Sequence, residues 1–143
     1  MRTSPLATKA SNRPISPHLM HVKWPINMVV SIIHRALGSG MATVGATLLV
    51  WWLAALATGP EAYAVFVDVF TYADGRLNAL GYLIGIGLTW SLFQHMASGI
   101  RHFFLDVGAN YELKSNRMSA WLTFAASATA TILFWAYLMM GKL

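Results

Sequence analysis

The chain has 143 residues, 57% of them hydrophobic and only 10% charged, with a formal net charge of +5. That balance lies outside the usual composition of soluble domains. It predicts a small membrane protein with room for three or four spans of about 20 residues and little structure outside the bilayer. The absence of cysteine excludes disulfides and thiolate metal sites and leaves histidine as the only good transition-metal ligand. The basic residues stand singly between apolar runs, which argues against a nucleic-acid surface.

Residues 1–25 read as a cytoplasmic segment. Their first part is rich in Arg, Lys, Ser and Thr, a bias shared with organelle transit peptides, but it is short and lacks an apolar face. Arg2, Lys9, Arg13 and Lys23 precede the first apolar run with no acidic residue before Glu61, whereas the following loop sets Glu61, Asp68 and Asp74 against Arg76 alone. The positive-inside rule therefore places the N-terminus in the cytoplasm. The first run is too long for a secretory signal, and no small-residue cleavage pattern follows it.

Residues 26–143 read as an all-α membrane domain of three transmembrane helices. The first is predicted from about Ile26 to Ala57, with its lipid-crossing part near Leu37 to Leu56, and the TGPE at Thr58 to Glu61 ends it. In the next segment Tyr63, Phe66, Val67 and Phe70 recur at i, i+3, i+4 and i+7, which predicts a short helix lying on the membrane surface. The second span is predicted from about Leu77 to Leu105 and the third from about Ser119 to Met140. Arg101, Lys114 and Arg117 fall near the cytoplasmic turn between them, and the C-terminus lies outside.

Two polar clusters interrupt these apolar helices. In SIIHRALG, Ser31 to Gly38, the residues Ser31, Arg35 and Gly38 point within about 60° of one another, with His34 further round the same side. Gly38 removes bulk there, so a flat ligand or a second helix can approach the backbone closely. The plainer alternative is that His34 and Arg35 snorkel into lipid headgroups at the interface.

The second cluster is QHMASGIRHFFLD, Gln94 to Asp106. His95, Gly99, His102 and Asp106 fall at offsets of 0, 4, 7 and 11, a single stripe that continues through Leu88, Gly85 and Gly81 as a groove of small residues. His95 lies about 27 Å along the helix from Leu77, inside or at the edge of a hydrocarbon core about 30 Å thick. An interhelical hydrogen bond is one use for such a histidine, and axial ligation of a low-spin haem is another. His102 falls among headgroups, where Asp106 one turn on is a ready partner. One straight helix cannot supply both axial ligands, and no other histidine is placed mid-span, so a haem here implies a partner subunit. Because the first and second spans run antiparallel, both clusters converge on the cytoplasmic face. Arg35 and His34 are then positioned to neutralise haem propionates or to hold a carbonyl oxygen.

With RPISPHL at Arg13 to Leu19, these motifs resemble the cytochrome b subunit of succinate dehydrogenase, the larger of the two membrane anchors of respiratory complex II. The resemblance covers essentially the whole chain. Leu37 and Leu105 depart from the residues usual in that family, and neither touches the residues proposed for chemistry. The resemblance implies that His95 is one axial ligand of a b-type haem whose other ligand comes from a second small anchor subunit. It implies that His34 contacts the haem propionates, that Ser31 and Arg35 line a ubiquinone site, and that Trp24 forms an apolar wall of that site. It also implies that FAD and iron–sulfur clusters are carried only by flavoprotein and iron–sulfur partner subunits, so that this chain performs no succinate chemistry alone. The short tail favours a bacterial cytoplasmic membrane, with the mitochondrial inner membrane as the alternative. Left open are a haem-free structural anchor or assembly module, the anchor of a fumarate reductase, and a small transporter. Three spans without a repeat or a broken central helix argue against the last.

Overall fold

The computed structural model describes residues 23–141, so the predicted tail up to residue 22, with the RPISPHL motif, His18 and His21, lies outside the described residues. Among the described residues the chain is all α. Helix α1, Ile26–Thr58, starts after Pro25 and runs 33 residues. It widens into one π-helical segment at Met41–Gly45, where the Thr43 hydroxyl donates back to the Ser39 carbonyl at 2.9 Å. Gly59 ends α1 with a φ of 126°, a conformation open to glycine. Pro60 then opens α2, Pro60–Phe70, its fixed φ and missing N–H both suited to a first helical position.

Helix α2 is the short helix predicted from the aromatic periodicity. Its Phe66 and Phe70 pack on Trp51 of α1, with ring centroids 4.9 and 6.1 Å away. The chain then turns through Gly75, where Arg76 binds Asp74 at 2.7 Å. This pairing holds the exposed Asp74 carboxyl below its ordinary range. Asn78 caps α3, Ala79–Asp106, by accepting from the Gly81 N–H, and its amide donates to the Val69 carbonyl, both at 2.9 Å. Helix α4 spans Leu113–Met140.

Four helix ends differ from expectation. The first helix ends at Thr58 and the second runs from Ala79 to Asp106 rather than from 77 to 105, because Asn78 spends its side chain on the cap. The third begins at Leu113, six residues before the predicted Ser119. Its polar opening LKSNRM reads as loop, but Asn116 and Ser119 both accept from Arg101 of α3. Arg101, expected near the turn between these helices, is 5% exposed and lies buried between them.

Helices α3 and α4 pack antiparallel along a buried polar ladder. Gln94, wholly buried, donates to Thr123 Oγ1 at 3.3 Å and accepts from Ser127 Oγ at 2.6 Å. Such bonds contribute about 1 kcal/mol each, and losing one partner costs more because the other is left buried and unpaired. The half of α1 before the π segment packs on α3 and α4, and the half after it packs on α2, its backbone standing away from that of α3. Between the diverging elements lies an apolar cleft of about 420 Å³ lined by Gly45, Leu48, Phe66, Phe70, Leu88 and Trp135. Helices α1 and α4 are long and apolar enough to cross a membrane. Helix α3, with 28 residues, has the length, and its polar residues Gln94, Ser98 and Arg101 are buried against the neighbouring helices.

Candidate functional site

The two histidine-bearing clusters meet where the first half of α1 crosses the last third of α3. The His34 and His95 rings stack with centroids 3.9 Å apart and planes within 9°, and His102 meets the edge of His34 at 5.0 Å. Gly38 permits this approach, whereas a side chain at Gly99 would make only ordinary contact. A Cβ on Gly38 would stand 2.8 Å from His95 Cε1, and one on Gly99 would stand 3.7 Å from His34 Cε1.

Hydrogen bonds fix both rings. His95 Nδ1 lies 3.0 Å from the His34 carbonyl oxygen, and since a carbonyl only accepts, Nδ1 carries the proton and Nε2 keeps its lone pair. His34 Nδ1 lies 2.7 Å from Ser98 Oγ. That hydroxyl donates to the Gln94 carbonyl at 2.7 Å, so it accepts from His34. Ser98 and Gln94 are the site residues that the sequence reading missed. With Arg101 they form an i, i+4, i+7 stripe facing the Asn116, Ser119, Thr123, Ser127 series of α4, and that matched periodicity is the signal that identifies them.

The remaining predicted residues surround this crossing less closely. Ser31 is half-buried one turn before His34. Arg35 points outward and makes no hydrogen bond or ion pair among the described residues. Trp24 is 47% exposed just ahead of α1. His102 and Asp106 form no ion pair, because His102 turns toward His34 instead. The groove above His95 is also occupied: Leu88 lies by Gly45, Gly85 against the Trp135 ring, and Gly81 under the Phe70 carbonyl.

These residues fit a haem in one respect that is specific to their geometry. An axial ligand bonds iron in the plane of its ring, and stacking on His34 covers a face of His95, so the Nε2 lone pair stays free. A backbone carbonyl on the opposite nitrogen is the usual arrangement for orienting a metal-ligating imidazole. No group of three or more His, Asp or Glu side chains among the described residues is arranged to hold a metal ion.

Fold and site thus define a helical membrane subunit whose imidazoles gather at the crossing of two antiparallel helices. The family model described as succinate dehydrogenase/fumarate reductase transmembrane subunit matches residues 9–134. The succinate dehydrogenase cytochrome b556 subunit of Paracoccus denitrificans is 34% identical over 123 residues, 85% of this chain and 88% of that one. Its counterpart in Rickettsia felis is 30% identical, covering 87% and 92%. The mitochondrial cytochrome b560 subunit of Mus musculus is 34% identical, covering 87% and 68%. The chain belongs to the succinate dehydrogenase/fumarate reductase transmembrane subunit family, as a membrane-anchor subunit of that multi-subunit enzyme.

Proposed function

We propose that α1, α3 and α4 each cross the membrane, with residues 1–25 on the cytoplasmic side and 26–143 forming the transmembrane domain, and that the chain holds a b-type haem jointly with a second small anchor subunit. The observation that carries this reading is the His95 ring, pinned through Nδ1–H to the His34 carbonyl with Nε2 unpartnered. His95 is the axial ligand from this chain. His34 contacts a propionate as the imidazolium, donating from Nε2 while its Nδ1–H stays on Ser98. Bound there, haem b supplies a one-electron reservoir.

The same end of α1 forms part of a ubiquinone-reduction site. Arg35, exposed and without a counter-charge among the described residues, holds and polarises a quinone oxygen as it takes up electrons and protons. Ser31 adds a neutral hydroxyl, and Trp24 an apolar wall. Electrons reach the quinone from a flavoprotein subunit carrying FAD, through the clusters of an iron–sulfur subunit. The relatives named as cytochromes support the haem assignment. A haem-free structural anchor is the second reading, favoured by the mutual stacking and the Ser98 bond, which satisfy much of the imidazole pair without a ligand.

The test is a reduced-minus-oxidised spectrum of the purified complex. A b-type band is expected in wild type and His102→Ala and is expected to vanish in His95→Ala. A full band in His95→Ala overturns the assignment, and none in wild type leaves the haem-free anchor. For the quinone site, Arg35→Ala is expected to raise the KM for a short-chain quinone by about 10- to 100-fold, the worth of one hydrogen bond to a charged group. Succinate oxidation by an artificial dye should be untouched, and an unchanged KM would remove Arg35 from the site.

A further inference from the structure

Arg101 is the buried charge that the proposed function does not use. Its side chain is 5% exposed. Nε donates to Ser119 Oγ at 3.1 Å and Nη2 to Asn116 Oδ1, and Nη1 has no hydrogen bond among the described residues. Both acceptors are neutral. The chain has only five acidic residues, all within the described segment, and the only ion pair among the described residues is Asp74–Arg76. A desolvated guanidinium therefore lies between α3 and α4 with no carboxylate side chain of its own chain beside it, an arrangement that costs free energy until an anion arrives.

The space beside it indicates what kind of anion. A cleft of about 300 Å³ opens on Arg101, with Asn110 at its polar end and Ile100, Phe104, Leu122 and Ala126 along its wall. Ile100, Phe104 and Leu122 are at least half exposed. Arg101 stands five residues before the end of α3, about 8 Å along the helix, which is headgroup depth given that α3 and α4 cross the membrane. A carboxylate from a protein would satisfy the charge but has no use for the apolar wall, whereas an amphiphile satisfies both. The stretch from the end of α3 into α4 carries the exposed Lys114 and Arg117 against Asp106 and Glu112, and with Arg101 the cations predominate, which disfavours a headgroup that carries its own ammonium.

We propose that Arg101, oriented by Ser119 and aided by the Asn110 and Asn116 amides, seats the phosphate of one anionic phospholipid whose acyl chain lies along the Ile100–Phe104–Leu122–Ala126 cleft. The forked guanidinium suits a phosphate oxygen pair, and the neutral amides and hydroxyl hold it in orientation.

The experiment delipidates the intact complex in detergent, titrates it with dioleoyl phosphatidylglycerol or dioleoyl phosphatidylcholine, and counts retained lipid by native mass spectrometry. Wild type is expected to retain phosphatidylglycerol in preference to phosphatidylcholine. Arg101→Gln should weaken that retention by about tenfold or more, the factor one charge-assisted hydrogen bond supplies. Leu122→Glu, which leaves every Arg101 bond in place, should weaken it as well, so a folding defect in the first variant does not decide the matter. Equal retention of the two lipids by wild type, or unchanged phosphatidylglycerol retention in both variants, overturns the proposal. Release of a partner subunit from Arg101→Gln with lipid retention unchanged would instead assign the counter-charge to that partner's carboxylate.

Discussion

Gly81→Ala is expected to prevent most of the complex from assembling, although it adds a single methyl group. A Cβ at Gly81 would lie 2.3 Å from the Phe70 carbonyl oxygen and 3.0 Å from Leu77 Cδ2. Neither obstacle can move freely. The Phe70 carbonyl accepts from the Asn78 N–H at 2.9 Å, and Asn78 Oδ1 accepts from the Gly81 N–H itself, so pushing the two apart opens the turn joining α2 to α3. Overpacking of this kind costs about 1–3 kcal/mol, and two weakened hydrogen bonds add about 1 kcal/mol each. That sum rivals a large part of the stability of a domain this size. The measurement is the amount of assembled complex in membranes, with the thermal inactivation temperature of whatever assembles. Wild-type values for both would contradict the close approach of α3 to the Phe70 carbonyl.

Gly38→Ala is expected to act at the imidazole pair rather than on the fold as a whole. Its Cβ would stand 2.8 Å from His95 Cε1 and 3.3 Å from Nδ1. Relief requires the ring to swing, which breaks the 3.0 Å bond to the His34 carbonyl and the 3.9 Å stack together. The cost to packing is again about 1–3 kcal/mol, but the informative readout is spectral. With His95 as the iron ligand, a displaced ring lowers haem occupancy or shifts the b-type band in complex that still assembles. An unaltered spectrum at full haem content would place the ligand elsewhere.

The sequence reading and the structure agree where apolar periodicity dominates. The helix following TGPE, the convergence of His34 with His95, and the close role of Gly38 follow from helical geometry and from antiparallel order, which needs only short connections. The burial of Arg101 was not legible for a physical reason. Position along a helix gives only depth, and it is the opposite helix, with Asn116 and Ser119 in register, that supplies acceptors for the guanidinium. The same contact explains the start of α4, because LKSNRM resembles a loop until the Asn116 amide is spent on Arg101 of α3. Ser98 escaped notice as one small residue inside a helix, where its partner lies 64 residues away in sequence. The π segment of α1 left no signature in hydropathy, since Met41–Gly45 is as apolar as its flanks and only the hydrogen-bond register changes there.

The polar ladder between α3 and α4 bears finally on how the chain is made. Helix α3 emerges from the ribosome first, with Gln94, Ser98 and Arg101 along its length, while the hydroxyls and amides that satisfy Gln94 and Arg101 belong to residues 116–127, not yet synthesised. Alone in lipid it would carry unpaired polar groups at a cost of several kcal/mol. Given the proposed three-span topology, its passage into the bilayer is tied to the translation of α4, and the two are expected to enter as a hairpin.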